Sequence, residues 1–397
     1  MAYASWGWTY VIFTSLNGTN WGQGMASDNA GDGGCGRLTS IAGVRKGLRV
    51  AVVGCGYWGS KHVRILSALP DIRQLCIVEP DPHTRRAILE RFPGVRAYAD
   101  LATALPQVDA VVVATPPRTH FDLALLALRH GKHVLVEKPL ATSVTEAQIL
   151  VQEARQADLT LMVGHTFLYV PAVKELRRRM TLGELGRIRY IHSARLNLGL
   201  YQPDVNVIWD LAPHDITIMN YLLHATPTSV SAWGSSLACS SVEDVAYIRL
   251  DYRELGISGY CHLSWLDPRK NRTITVVGRQ KMAIYDDLAE ERLRIYDRGV
   301  KTLDDETAPY ERPQSYRYGD ITSPYIGAGE PLALEDAHFI DCVLRSEVPD
   351  TPGTDGMVTV AVLEALDRAV QEGGTVEVRY PAELEPATAA TLGQQAG

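Results

Sequence analysis

The stretch LRVAVVGCGYWG, residues 48–59, decides the fold of this chain. It is an apolar run that ends in a G-x-G-x-x-G turn, and apolar residues at helical spacing follow the turn. Gly54 suits a tight turn, Gly56 lets the backbone approach a pyrophosphate, and Gly59 allows a helix to pack closely on a strand. The helix N–H groups then point at the anion. We therefore predict a dinucleotide cradle with the cofactor contacts Gly54, Gly56, Tyr57, Trp58 and Gly59.

Short β-rich runs alternate with helical patterns from residue 48 to residue 164. This alternation predicts a parallel, doubly wound sheet. Beyond His165 the strand signals follow one another without helices between most of them, which is typical of an antiparallel sheet. We expect an α/β Rossmann domain over residues 47–168 and an α+β domain with a large, open, mostly antiparallel sheet over residues 169–382.

Three segments depart from these patterns. Residues 1–46 scatter tryptophan among Gly, Asn, Ser and Asp without periodicity, which predicts a disordered, dispensable extension. Whether that extension belongs to the native protein stays open. Residues 299–330 are rich in Pro, Gly, Tyr and Asp and are expected to form a long surface loop, and residues 383–397 a frayed tail.

The composition narrows the classes of function. The chain has 397 residues, of which 46% are hydrophobic and 21% charged, as in a globular protein of two domains. A formal net charge of −7 argues against nucleic-acid and membrane partners. The six cysteines form no C-x-x-C pair, so neither a disulfide framework nor a metal site is indicated. A reducing cytoplasm is the simplest location.

Glu79 ends the second predicted strand, 20 residues after Gly59. An acidic residue at this point accepts hydrogen bonds from the adenosine ribose and repels a 2′-phosphate. It favours NAD over NADP as the cofactor. Arg85 and Arg86 would offset that preference if their loop folded back, so NADP stays possible.

Two later strand ends extend the predicted cofactor pocket. Prolines follow the strand that ends at Ala114, and they prevent further ladder pairing and stiffen the exit of the chain. A rigid turn without a ligand is the alternative explanation for these prolines. The predicted contacts at the two strand ends are Thr115, Pro116, His120, Glu137 and Lys138.

Lys138 follows an apolar strand, where a cation can bind a substrate hydroxyl and stabilise the oxyanion that develops as hydride departs. Asp210 and His214 are four residues apart, just before an amphipathic helix expected over residues 213–223. A histidine at a helix N-terminus is biased toward its neutral form, which suits a general base, and a nearby carboxylate can orient the ring. We predict a catalytic trio of Lys138, His214 and Asp210.

Further polar and aromatic side chains are candidates for binding the hydroxyl groups of a sugar or cyclitol. Each also has a structural explanation, as a buried hydrogen-bonded residue or as part of the outer surface of the sheet. The candidate substrate contacts are His165, Tyr169, Arg195, Asn197 and Trp209.

These motifs resemble those of the Gfo/Idh/MocA family, which is named after glucose-fructose oxidoreductase, inositol dehydrogenase and a rhizopine catabolism protein. The resemblance covers about residues 48–380. It rests on the glycine turn, Thr115-Pro116-Pro117, Glu137-Lys138-Pro139 and the element from Asp210 to His214.

The resemblance implies an N-terminal Rossmann domain and a C-terminal domain whose open sheet often forms the interface of a homo-oligomer. It also assigns Lys138 and His214 to the catalytic centre, with Asp210 beside them. Residues 164–169 and 204–210 look like a branch associated with nucleotide-sugar or amino-sugar pathways. Residues 1–46 fall outside the family pattern.

The function that we expect is an NAD-dependent dehydrogenase or ketoreductase that acts on a secondary alcohol of a sugar, nucleotide sugar or cyclitol. One alternative is a sensor that binds the dinucleotide without turnover, although such a protein has no need of the catalytic trio. The other is a redox-neutral enzyme that keeps its nicotinamide bound and returns the hydride in the same cycle.

Overall fold

Two sheets, of six and nine strands, organise the chain. The computed structural model describes residues 47–199, 205–238, 242–301 and 315–382. The predictions made for residues 1–46 and 383–397 lie outside the described residues. Among the helices that are described, none is long and apolar enough to cross a membrane.

The first sheet consists of the strands β1 (Leu48–Val53), β2 (Ile72–Val78), β3 (Arg96–Tyr98), β4 (Ala110–Val113), β5 (His133–Glu137) and β6 (Leu161–Gly164). The helices between them are α1 (Tyr57–Leu66), α2 (Pro82–Arg91), α3 (Leu101–Ala104), α4 (His120–Arg129) and α5 (Val144–Gln156). The strand order is β3-β2-β1-β4-β5-β6 and every pair is parallel. The predicted Rossmann sheet is confirmed. In sheets of this kind, ligands bind at the carboxyl ends of the two strands where the strand order reverses, which are β1 and β4 here.

The strands of this sheet are apolar along their length because helices cover both faces. Val50 and Val52 belong to the core on one side of β1, and Ala51 and Val53 to the core on the other. The sequence analysis did not find β3, since a strand of three residues carries no periodic signal.

The second sheet consists of β7 (Ile188–Leu198), β8 (Ser229–Ser235), β9 (Val245–Tyr252), β10 (Ile257–Ser264), β11 (Leu266–Gly278), β12 (Met282–Asp286), β13 (Leu293–Lys301), β14 (Ser315–Thr322) and β15 (Thr375–Glu377). The remaining helices are α6 (Pro171–Thr181), α7 (Val207–Leu223), α8 (Pro331–Arg345) and α9 (Gly353–Glu372). The strand order is β14-β13-β12-β11-β7-β10-β9-β8-β15, and among the described strands of this second sheet only β7 and β10 pair in parallel. The prediction of a large, mostly antiparallel sheet is confirmed.

Two element predictions were wrong in their bounds. Helix α7 begins at Val207 rather than near Pro213, because the side chain of Asn206 accepts the N–H of Trp209 at 3.0 Å and caps the helix there. Pro213 therefore lies inside the helix, where its position in the core offsets the lost N–H. The surface loop expected over residues 299–330 contains β14, which pairs with β13.

Helices α8 and α9 return to the first sheet after the second sheet is complete. Phe339 and Ile340 of α8 lie in the same core cluster as Val63 of α1. Met357 of α9 lies in the core cluster beside α5. The predicted boundary after residue 168 therefore separates the two sheets, but the core of the first sheet also uses residues far beyond it.

Candidate active site

The turn after β1 has the geometry that a dinucleotide requires. Gly54 has φ +82°, and a Cβ there would lie 2.7 Å from Cγ2 of Thr115. A Cβ on Gly59 would lie 1.8 Å from the carbonyl oxygen of Gly54, so only glycine lets α1 pack against the turn. Within the described part of the chain, a Cβ at Gly56 would meet nothing within 4 Å, and no side chain caps the start of α1. This open approach to backbone N–H groups fits a pyrophosphate.

Glu79 lies at the end of β2, beside the glycine turn. Its carboxylate accepts the N–H groups of Cys55 at 2.9 Å and Asp81 at 3.0 Å, which hold it in place. A carboxylate at this position reads the ribose hydroxyls of a dinucleotide. Arg85 folds back toward it, but the guanidinium donates to the carbonyl oxygens of Glu79 and Pro80, at 2.6 Å and 3.2 Å.

His120, a predicted cofactor contact, is buried between two turns that border the pocket. Its buried ring contacts the carbonyl oxygens of Thr115 at 2.8 Å and Pro139 at 2.7 Å, one through each nitrogen. Both ring nitrogens are therefore already engaged. The histidine ties the turn after β4 to the turn after β5, and Pro116 stays exposed at the edge of the pocket.

Glu137, a predicted cofactor contact, points into the interior. The residue is 6% exposed, and its Oε1 lies 3.1 Å from Nε2 of His62 in α1. Its Oε2 accepts the N–H of Lys138 at 3.2 Å. Glu137 and Lys138 face opposite ways, as successive residues at a strand end do.

Lys138 and Asp210 meet directly in the cleft. The Lys138 ammonium donates to the carbonyl oxygen of Asp210 at 2.7 Å and to Oδ1 at 3.2 Å. The other carboxylate oxygen of Asp210 accepts Nε1–H of Trp265 at 3.1 Å. The predicted hydrogen bond from Asp210 to the ring of His214 is not formed, because Lys138 and Trp265 occupy the carboxylate.

The ring of His214 packs edge-on against Phe167, with centroids 4.7 Å apart. Its buried Nδ1 has no hydrogen-bond partner among the described residues. Burial, and after it the cation of Lys138, hold the pKa of His214 well below its ordinary value. The neutral form was expected, but its cause differs from the expectation, since His214 lies well inside α7 rather than at the helix end.

His165 lies in the interior near His214. It is 1% exposed, and neither ring nitrogen has a partner within the described part of the chain. Burial lowers the pKa of His165 to about 4. Because buried polar groups are normally hydrogen-bonded, two free ring nitrogens here indicate a position that a ligand or water completes.

Arg195 and Arg272 both lie near Phe167, at 4.5 Å and 5.9 Å from the ring centroid. Arg195 is buried and donates to both carboxylate oxygens of Asp215, at 3.1 Å and 3.0 Å. It therefore supports the aromatic ring and α7. Asn197 follows two residues later on the same face of β7 and is partly exposed.

Two predicted substrate contacts are turned toward other elements. Tyr169 is 2% exposed, and its hydroxyl lies 3.2 Å from Oγ1 of Thr351. Trp209 donates its indole N–H to Asp367 at 2.6 Å. The structure does not bring either of them to Lys138.

Strand β11 supplies site residues that the sequence analysis missed. Leu266 of β11 pairs with Leu198 of β7, and the next paired residue, Asn271, lies opposite Leu196. Five positions of β11 therefore correspond to two positions of β7, and residues 267–270 bulge out of the sheet. The bulge carries Lys270, which forms no ion pair with any described residue, and Arg272 follows it.

This bulge lies over the start of α1. Lys61 first, and then Lys270 and Arg272, lower the pKa of the exposed Tyr57 hydroxyl. The ammonium of Lys61 also lies 3.9 Å from the ring centroid of Tyr57. The run of basic residues before the strand signal at Thr273 was the available clue in the sequence.

Comparison with known proteins gives two matching domain families, which together make up one protein family. The family described as an oxidoreductase family with an NAD-binding Rossmann fold, GFO/IDH/MocA, matches residues 48–165. The GFO/IDH/MocA C-terminal domain matches residues 173–284. The two matches together cover the first sheet and the second sheet from β7 into β12.

Individual relatives include two dehydrogenases and a solved complex. UDP-N-acetylglucosamine 3-dehydrogenase of Acidithiobacillus ferrooxidans is 31% identical over 261 residues, which are 64% of this chain and 79% of that protein. The scyllo-inositol 2-dehydrogenase (NAD(+)) of Bacillus subtilis is 24% identical over 348 residues, covering 83% and 96% of the two chains. The crystal structure of GenD2 from gentamicin A biosynthesis in complex with NAD superimposes with a TM-score of 0.72 at 26% identity, and the match covers 84% of this chain and 97% of that one.

Proposed function

Since the chain belongs to the Gfo/Idh/MocA family of NAD-binding oxidoreductases, we propose that it transfers hydride between NAD and a secondary alcohol of a sugar or cyclitol. NAD, when bound, supplies the hydride acceptor or donor. The observation that carries the proposal is the Lys138 ammonium, held 2.7 Å from the Asp210 carbonyl oxygen at the carboxyl edge of the Rossmann sheet. His214, whose buried Nδ1 has no described partner, and His165, whose two ring nitrogens have none, are both close enough for the charge of Lys138 to lower their pKa values.

Each residue has a distinct part in this proposal. His214, neutral because it is buried, accepts the hydroxyl proton in oxidation and returns it in reduction. Lys138 stabilises the oxygen as it takes on negative charge. Asp210, held by Trp265, keeps the ammonium of Lys138 in the cleft. His165 offers its ring nitrogens to the substrate hydroxyls.

The test compares Lys138→Met with His214→Asn. Both variants should keep the dissociation constant of NAD within about threefold, because the glycine turn holds the pyrophosphate, and both should lose at least about 100-fold in kcat. The assay follows NADH absorbance with UDP-N-acetylglucosamine and scyllo-inositol, and Lys132→Met at the opposite edge of the sheet is the control. Parental turnover by Lys138→Met would reject the proposal. A parent protein that binds NAD but turns over no sugar would favour the sensor.

We further propose that the substrate carries an anionic group such as the diphosphate of a nucleotide sugar. Five cations surround the cleft; three of them are paired with a carboxylate, and Lys61 and Lys270 form no ion pair with a described residue. The cations are Lys61, Lys138, Arg195, Lys270 and Arg272. The paired carboxylates are Asp210, Asp215 and Asp287. Lys270 and Arg272 support this assignment because the bulge of β11 places them between the start of α1 and Phe167.

Inhibition by UDP tests the anionic subsite. Lys270→Ala should raise the inhibition constant of UDP about five- to tenfold, the loss expected for one charge-assisted contact, and leave the KM of scyllo-inositol unchanged. Lys132→Ala is the matched surface control. An unchanged constant for UDP would reject the subsite. A raised dissociation constant for NAD alone would assign the cation to the cofactor pyrophosphate instead.

The exposed face of the second sheet supports association of the chain with a second copy. Trp233, Tyr247, Tyr260 and Tyr190, on four neighbouring strands, are between 41% and 64% exposed. Tyr247 stacks on His262 with ring centroids 4.2 Å apart, so part of the face is already ordered. Aromatic side chains are enriched at the centres of protein interfaces. We infer a homo-oligomer that buries this aromatic face.

A cytoplasmic location is also part of the proposal. The four cysteines within the described ranges are free and buried, and burial raises the pKa of Cys55 to about 12. Thiols of this kind persist in a reducing compartment. Fractionation of cells that express the protein tests this location.

A further inference from the structure

A chain of buried ionisable side chains lies beneath Lys138, outside the cleft. His62 of α1 has no exposed surface, and its Nδ1 contacts Oδ1 of Asp336 at 2.8 Å. Its Nε2 contacts Oε1 of Glu137 at 3.1 Å, and Glu137 accepts the N–H of Lys138 at 3.2 Å. Asp336 belongs to α8, 274 positions farther along the chain than His62.

The imidazole of His62 is charged in this setting. Burial opposes its ionisation, but the charges and hydrogen bonds of Asp336 and Glu137 raise the pKa of His62 well above its ordinary value. Burial also opposes the ionisation of Glu137, yet His62 holds the pKa of Glu137 below its usual range. A buried cation thus neutralises Glu137, on which the charge of Lys138 also acts.

Packing does not require this charged chain. Val63 and Leu66 of α1 share a core cluster with Phe339 and Ile340 of α8, so apolar contacts already join the two helices. Buried ion pairs often stabilise a protein less than apolar residues of the same volume. What distinguishes these buried ionisable side chains is their position next to the backbone of Lys138.

Helix α8 contacts the site at a second point through the residue before Asp336. Glu335 has no exposed surface, and its Oε2 accepts the hydroxyl of Thr166 at 2.8 Å. Thr166 lies between His165 and Phe167, both of which border His214. One helix from the C-terminal part of the chain therefore reaches both turns that carry the cleft residues.

We propose that His62 is a positioning residue for Lys138, and that the docking of α8 on α1 through Asp336 keeps it in place. With His62 present, Glu137 faces the interior and Lys138 is free to reach Asp210. Without it, Glu137 takes a proton or draws the ammonium of Lys138 away from Asp210. This inference goes beyond the hydride transfer proposed above and rests on the role of Lys138 in it.

The first test compares His62→Gln with Arg64→Gln in the full-length protein. Arg64 pairs with Glu330 in an exposed ion pair that joins the same two helices but does not touch Glu137. His62→Gln should lower kcat by about tenfold or more, with the KM of the sugar and the dissociation constant of NAD within about twofold, because only an interaction of the transition state is lost. Arg64→Gln should keep the parental kcat. An equal loss of kcat in both variants would overturn the proposal.

A double-mutant cycle separates the two inferences. If His62 acts through Lys138, His62→Gln should lower the residual rate of Lys138→Met by less than about twofold, since coupled residues are not additive. The full tenfold loss in the Lys138→Met background would overturn the role of His62 and leave the proposed function intact. Parental turnover by Lys138→Met alone would overturn the proposed function and the positioning role with it.

A second variant tests the proposal if His62→Gln does not fold. Asp336→Asn keeps the shape of the side chain and a carbonyl oxygen that can accept from Nδ1, while it removes the charge that α8 contributes. We expect a loss of at least about threefold in kcat with an unchanged dissociation constant for NAD. Parental kcat in Asp336→Asn would overturn the role given to α8.

Discussion

At the scale of the residue, two positions in the turn after β1 are glycine for different physical reasons. Gly59 is required by the fold, because any Cβ would collide with the backbone oxygen of Gly54. Gly56 is not required by the fold, because a Cβ there meets empty space. That space is the approach to the start of α1, so Gly56 serves the ligand.

Alanine substitution should separate these two reasons. Gly59→Ala should lower the free energy of unfolding by about 2–3 kcal/mol, as overpacking against backbone does. Gly56→Ala should change it by less than about 0.5 kcal/mol, yet raise the dissociation constant of NAD at least about tenfold. Urea unfolding and calorimetric titration of NAD measure the two effects. Equal destabilisation by both substitutions would contradict the distinction.

The neutral state of His214 makes a prediction for pH dependence. Its lowered pKa means that the ring stays deprotonated as the pH falls through about 6.5, the value at which an unperturbed histidine is half protonated. With scyllo-inositol as substrate, kcat/KM should therefore stay level through that pH. Arg272→Gln removes one of the cations that lower this pKa, so the acid limb should move to higher pH. A parental limb centred at about 6.5, or an unmoved limb in the variant, would contradict this assignment.

At the scale of the element, α7 decides where Asp210 and His214 lie. The helix starts at Val207 because Asn206 caps it, and the amide of Asn206 also donates to Glu243 at 3.0 Å. The early start places His214 inside the helix and lets the Asp210 carboxylate reach Lys138. Capping is thus linked to the geometry of the proposed catalytic residues.

Removing this cap should affect activity as well as stability. Asn206→Ala should lower the free energy of unfolding by about 1 kcal/mol and reduce kcat severalfold. Ser143→Ala removes the cap of α5, where Oγ accepts the N–H of Glu146 at 3.2 Å, and is the control. The control should lose similar stability but keep the parental kcat. If both variants keep the parental kcat, α7 does not depend on its cap for the site.

At the scale of the whole molecule, the second sheet has one face in the core and one face of exposed aromatic residues. Side chains on β9 alternate between the two faces, with Ile248 buried and its neighbour Tyr247 exposed. A stable interface between two copies buries about 1,200–2,000 Å² in total, which a sheet of nine strands can supply.

Charge placed on this face should dissociate the oligomer. Tyr260→Glu combined with Trp233→Glu should reduce the molar mass measured by light scattering after size-exclusion chromatography, because buried unpaired carboxylates oppose association. Leu182→Glu changes a leucine that is 69% exposed outside the sheet and should keep the parental mass. A parental protein that is already monomeric, or a double variant of unchanged mass, would contradict the proposed interface.

The sequence by itself determined the Rossmann sheet, the cofactor NAD and the family, because each of these depends on local signals. A glycine turn is decided by steric contacts within a few residues, and buried parallel strands by continuous apolar runs. The large antiparallel sheet was predictable for the same reason, since alternation of apolar and polar residues is a property of each strand. Lys138 could be singled out from the strand end that precedes it, and Asp210 and His214 from their spacing of four residues, because these signals are local as well; their catalytic role stays a prediction.

Only the tertiary structure decided the partners of these residues. Asp210 pairs with Lys138 and not with His214, because a strand end and a helix 72 positions apart converge at the cleft. His62 bridges α1 to α8 across 274 positions, and no periodic pattern records that contact. Such contacts depend on how distant elements dock. The free energy of docking is spread over the apolar cores of both sheets rather than held in any one segment.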